Sequence, residues 1–158
     1  MKILGVDPGI ERLGWGLLEK TPQGIKYLSS GVKKTSKNEK ESQRLLEIFK
    51  FLSNLIKKEG PDVLATEKLF FAKNVKTALV IGEVRGVILT VGALHSLAIR
   101  EFTPLEAKLA VCGYGKATKE SIANMVRLQL NLPKKRYLDD ETDAMSLALA
   151  AAVIRVFP

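Results

Sequence analysis

The sequence predicts an α/β protein: a mixed sheet, its first three strands antiparallel, flanked by helices. Two features lead there. The chain opens on three short apolar runs separated by turn residues, and it continues with further strands interleaved with segments of helical periodicity before closing on helices alone. In "MKILGVDPG", Ile3, Leu4 and Val6 suit a buried strand, and Pro8-Gly9 stops it directly after Asp7. "LGWGLLEK" and "GIKYLSSGV" are joined by Thr21-Pro22-Gln23-Gly24, a hairpin loop, so the opening is a meander. "NEKESQRLLEIFKFLSNLIKKEG" sets Leu45, Ile48, Phe49, Leu52, Leu55 and Ile56 at helical spacing, and Gly60-Pro61 ends that helix.

"DVLATE" is a short buried strand that also finishes on an acid, Glu67. A second helix is predicted over 75–94, followed by a fifth strand in "LAIREF". "TPLEAKLAV" reads as a short helix with Thr103 as N-cap and Pro104 in its first turn. "TKESIANMVRLQLN" is a helix capped by Thr118 and stopped before Pro133. The last helix, "DDETDAMSLALAAAVIRVF", is apolar nearly all round after its first turn, which predicts burial. No repeat, low-complexity segment or linker divides the chain, so residues 1–158 are expected to form one domain.

With 46% hydrophobic and 27% charged residues among 158, the composition is that of a globular protein with a sizeable core. No apolar stretch is expected to span a bilayer, and a strand at the very start leaves no signal peptide, so a cytoplasmic location is expected. Cys112 is the single cysteine, which excludes an internal disulfide and is read as a small buried side chain. The 25 Lys and Arg against 17 Asp and Glu give a net charge of +8, a balance that points to a polyanion such as nucleic acid.

Against that basic background, four acids sit where acids are costly. Asp7 and Glu67 end apolar strands, and Asp140 and Asp143 lie three apart on one face of the buried last helix. Each has a plain alternative: Asp7 as a turn residue, Glu67 as a lysine partner, Asp139, Asp140 and Asp143 as helix caps. Strand ends and a helix N-terminus can converge in such a sheet, and carboxylates gathered there need protons or hard divalent cations, Mg²⁺ or Mn²⁺. A basic protein with that pocket has a use for it in two-metal phosphodiester hydrolysis. One ion activates water and the other stabilises the leaving 3′-oxygen.

Three segments, "ILGVDPGIERLGWGLLE", "ATEKLFFAKNVKTALVIGEVRG" and "DETDAMSLALA", resemble signatures of the RuvC family, the Holliday junction resolvases of bacteria. The resemblance runs through essentially the whole chain in order. It implies an RNase H-like fold with a five-stranded mixed sheet, a homodimer, and a Mg²⁺-dependent endonuclease that nicks opposing strands of a four-way DNA junction. It matches Asp7, Glu67, Asp140 and Asp143 to the family's metal-binding catalytic acids, with two Mg²⁺ per site and Mn²⁺ as a substitute. Phe70 matches an aromatic that stacks on a base near the crossover. Lys108 and Lys119 match basic residues near the scissile phosphate, and Lys73 is counted with them as a DNA contact. A partnership with the RuvA–RuvB branch-migration complex is implied in the same way. Met145-Ser146, where relatives often have Leu-Ala, departs from the pattern at positions that carry no chemistry.

The residues add support of their own. "EKLFFAKN" sets two aromatics and two lysines just beyond a strand-end acid, a combination that stacks on unpaired bases, with core packing as the alternative for Phe70 and Phe71. Gly82 and Gly86, four apart, allow close approach of another backbone, either the protein's own sheet or a second copy. "GYGKATK" does not fit the phosphate-loop pattern, and the sole histidine, His95, excludes a histidine-based zinc site and leaves a triad without partners. Two rival readings are a sugar-kinase or actin-like ATPase, whose chains are usually far longer, and a junction-binding module without catalysis.

Overall fold

A computed structural model of the protein describes residues 1–68 and 75–154, apart from the side chains of 75 and 76. Five strands, β1 (Lys2–Asp7), β2 (Arg12–Thr21), β3 (Gly24–Lys34), β4 (Val63–Glu67) and β5 (Ala98–Phe102), form one sheet in the order β3-β2-β1-β4-β5. The β1–β2 and β2–β3 pairs are antiparallel, and the β1–β4 and β4–β5 pairs are parallel. This is the mixed five-stranded sheet expected of an RNase H-like fold. The helices are α1 (Glu41–Glu59), α2 (Val75–Leu94), α3 (Pro104–Cys112), α4 (Lys119–Gln129) and α5 (Asp139–Val153).

Period-2 alternation along the strands builds a core on each face. Leu4, Val6, Leu13, Leu17 and Leu64 point to one side, where Ile48, Leu52 and Ile56 of α1 and Val84, Ile88 and Val91 of α2 close over them. Ile3, Leu18, Val63 and Ala65 point to the other and meet α5, with α3 and α4 completing that layer. Gly5 and Gly16, paired across β1 and β2, let α5 lie directly on the sheet. A Cβ at Gly5 would overlap the Ala144 carbonyl, and one at Gly16 would press on Met145. That is why α5 is buried nearly all round, as its composition predicts.

Local signals fix the ends. The chain leaves α1 through Gly60 in the left-handed region (φ 59°), whose N–H bonds Ile56 O at 2.9 Å. Thr103 and Glu106 form a capping box at α3, with bonds of 3.1 and 2.7 Å. Thr118 Oγ1 accepts from Ser121 N at the start of α4.

Three expectations need amendment. Helix α5 is described as ending at Val153, short of the Phe157 read from apolar pattern; residues 155–158 lie outside the described residues. Cys112 is half-buried rather than buried, because it sits at the C-terminal end of α3. Thr77–Leu94 has mean hydropathy 1.7 and is, by length and composition, apolar enough to cross a membrane, where no such stretch was expected. Within it Val84, Ile88 and Val91 pack on the sheet and Arg85 pairs with Glu101 of β5, so this face of the helix is spent on the protein's own core.

Candidate active site

The same alternation that builds the cores delivers the strand-end acids. Ile3, Gly5 and Asp7 share the α5 side of β1, and Val63, Ala65 and Glu67 share it on β4. Val6 and Thr66 are register partners in the parallel pair, so Asp7 and Glu67 emerge as neighbours. The buried Thr66 hydroxyl donates to Val6 O at 3.0 Å and ties the two strand ends together. From the other side, the first turns of α5 reach the same place. Gly14, the register partner of Asp7, permits this, since a Cβ there would overlap the Asp140 carbonyl.

Asp7, Glu67 and Asp143 line one cleft of about 300 Å³, together with Lys108 of α3, Lys119 of α4 and Ser146 of α5. Desolvation, reinforced by Asp143, Glu67 and Asp140, pushes the Asp7 carboxyl up to about 7. Burial and Asp143 raise Glu67 above the ordinary range, against the pull of Lys119. Burial also raises Asp143, and Lys119 offsets this in part, its Nζ standing 3.9 Å from Asp143 Oδ2. These shifts share burial as their largest cause, and neighbouring carboxylates add to it against the pull of Lys119.

Asp140 is placed differently. It lies close enough to act on Asp7 and Asp143, yet it does not line the cleft. Its carboxylate turns toward Arg12, with Nε 3.2 Å from Oδ2. The neighbour that sequence reasoning passed over is therefore Arg12, although alternation from Gly14 would have indicated it. Among the described residues no three His, Cys, Asp or Glu side chains are arranged to hold one metal ion. Three of the four acids share the cleft, and the fourth is held beside it.

The donor set nonetheless suits hard divalent cations. It is made of carboxylates alone, burial raises the proton affinity of Asp7, Glu67 and Asp143, and the buried Asp140 Oδ2 accepts no hydrogen bond from any described residue. Glu141 is the contrasting acid of the same helix turn. It is buried, its Oε1 accepts from Ser30 at 3.0 Å and its Oε2 from Leu138 N at 3.0 Å, so it serves the fold. Phe70, Phe71 and Lys73 lie outside the described residues. His95, just past the end of α2, bonds Ser53 of α1 at 2.8 Å. Trp15 packs at a tilt on Phe51, 6.2 Å between centroids, on the sheet face opposite α5.

A family model described as Crossover junction endodeoxyribonuclease RuvC matches residues 3–151. A relative of that description from Natranaerobius thermophilus is 42% identical over 149 residues, 94% of this chain and 92% of the relative. One from Thermosipho melanesiensis is 43% identical over 153 residues, 97% of this chain and 98% of the relative. Among solved structures, Thermus thermophilus RuvC is similar with a TM-score of 0.86 at 29% identity, covering 95% of this chain and 92% of that one. The same protein in complex with Holliday junction substrate is similar at 0.85 and 26% identity, over 95% and 92% of the two chains. The yeast mitochondrial Holliday junction resolvase Ydc2, with a TM-score of 0.69 at 15% identity over 94% of this chain and 76% of that one, shares the fold. This chain belongs to the RuvC family of crossover junction endodeoxyribonucleases.

Proposed function

We propose that this protein resolves four-way DNA junctions by paired symmetric nicks, leaving 5′-phosphate and 3′-hydroxyl ends. The observation that carries the reading is one cleft shared by Asp7, Glu67 and Asp143 and edged by Lys108 and Lys119, on the fold of the family. Family membership implies a divalent metal. Our finer reading is two Mg²⁺ per site, which Mn²⁺ replaces, held by Asp7, Glu67, Asp140 and Asp143. Bound there, the metal supplies the Lewis acidity that in-line phosphodiester hydrolysis requires.

The chain's own residues do the rest. Asp7 and Glu67, fixed on adjacent strand ends, set the geometry of the site from below, and Asp143 closes it from α5. Lys108 and Lys119 draw the scissile phosphate toward an acidic floor that would otherwise repel it. Phe70 and Lys73 complete the DNA contacts just beyond Glu67.

A homodimer matches the two-fold character of the junction and sets two sites against two equivalent strands. Support comes from the outer face of α2, where Leu79, Glu83, Gly86, Thr90 and Ala93 recur every three or four residues as an exposed stripe. Leu79 is 65% exposed, and a Cβ at Gly86 would meet nothing within 4 Å. Cooperation with the RuvA–RuvB branch-migration complex and a cytoplasmic location belong to the same reading. The test is incubation with a synthetic four-way junction, with and without Mg²⁺. Symmetric paired nicks only with the metal support the reading; binding without nicks would make the protein a junction-binding module.

A further inference from the structure

Asp140 is the acid turned away from the cleft, and the reason is Arg12. Arg12 opens β2 and, by alternation, shares the α5 side of that strand with Gly14 and Gly16, while Leu13 and Leu17 face the other core. Because Gly14 lets β2 touch the Asp140 backbone, Arg12 emerges directly beside that carboxylate. Its Nε stands 3.2 Å from Asp140 Oδ2, and the pair is lopsided, the arginine side chain being 53% exposed and the aspartate 17%.

The contact is also loosely made. Oδ2 is buried and accepts no hydrogen bond from any described residue, Arg12 included, so charge holds the pair without alignment. Glu141, one residue on, shows how this turn treats an acid whose place is final: each of its oxygens accepts a bond of 3.0 Å.

We propose that Arg12 is a positioning residue that occupies the Asp140 carboxylate as a stand-in cation, and that loading the site with a divalent ion exchanges the guanidinium for the metal. The proposal rests on the reading of Asp140 as a metal ligand. Asp140 stands in the field of Asp7 and Asp143, and a divalent ion among these carboxylates brings more charge at shorter range than one exposed arginine. Arg12 therefore competes with the metal for Asp140, and removing it favours loading.

The test is calorimetric titration of Mg²⁺ into the whole, DNA-free protein as wild type, Arg12→Gln, Asp140→Asn and the double variant. Arg12→Gln is expected to tighten Mg²⁺ binding by about three- to tenfold, and the same change in the Asp140→Asn background to alter it by less than about twofold. Equal tightening in both backgrounds would mean that Arg12 acts only as general positive charge, and this overturns the proposal. Unchanged or weaker binding in Arg12→Gln overturns it too. If Asp140→Asn alone leaves Mg²⁺ affinity and junction nicking at wild-type levels, the ligand reading of Asp140 has failed and takes the proposal with it.

Discussion

The two ends of α5 are treated in opposite ways. At the C-terminal end, the last carbonyls carry the negative pole of the helix, and the sheet answers with cations. Lys20 of β2 donates to Ala152 O at 2.5 Å, and Arg100 of β5 donates to Ala151 O at 2.7 Å. At the N-terminal end, Asp143 meets Asp7 and Glu67 in a shared cleft, and the lysine that approaches it stops 3.9 Å away. Both ends lie on the same sheet, so packing alone does not explain the difference. The end that serves the fold is neutralised in place, whereas the other gathers carboxylates that its lysines only partly offset.

Three substitutions sharpen that contrast. The largest effect belongs to Asp7→Asn, which removes the most perturbed carboxylate of the deficient end. Nicking of a four-way junction in Mg²⁺ should fall by on the order of 10³-fold or more, while gel-shift affinity holds or rises because one charge no longer opposes phosphate. Loss of binding in parallel with cleavage would mean that Asp7 supports structure instead.

Next comes Gly5→Ala, which lifts the whole helix, since the new methyl runs into the Ala144 carbonyl. Denaturant unfolding should lose about 3 kcal/mol or more. Tolerance of alanine there would contradict the direct seating of α5 on β1. The smallest effect is at the satisfied end. Arg100→Met should cost about 1–2 kcal/mol of stability and leave nicking per folded molecule unchanged, as expected of a cap remote from the cleft.

Much of the fold was legible in the sequence. The short apolar runs "ILGVD" and "VLATE" marked buried strands with an acid at the end of each, and Thr103 and Thr118 marked the starts of α3 and α4. Helical spacing from Leu45 to Ile56 gave α1, and burial of α5 followed from its composition. What could not be read was pairing at a distance. Arg12 with Asp140, Ser30 with Glu141 and Lys20 with Ala152 each join residues more than a hundred positions apart, and no local pattern records them. That is why the four acids looked equivalent in the sequence, whereas the structure separates Asp140 from the other three. Helix α2 is more apolar than expected, and its inner face packs on the sheet.

The central claim is that the N-terminal end of α5 stores negative charge which a divalent cation relieves. Burial and its acidic neighbours raise Asp7 to about 7 from an unfolded value near 3.8. Asp7 therefore costs nothing below about pH 4 and destabilises the metal-free fold increasingly as pH rises to about 7; Glu67 and Asp143 act in the same direction. Urea unfolding across that range in EDTA, for wild type and Asp7→Asn, measures it. The account predicts that Asp7→Asn gains on the order of 2–4 kcal/mol over wild type at the alkaline end and nothing at the acid end, and that Mg²⁺ stabilises wild type far more than the variant. Parallel pH curves for the two proteins, with equal stabilisation by Mg²⁺, would contradict it.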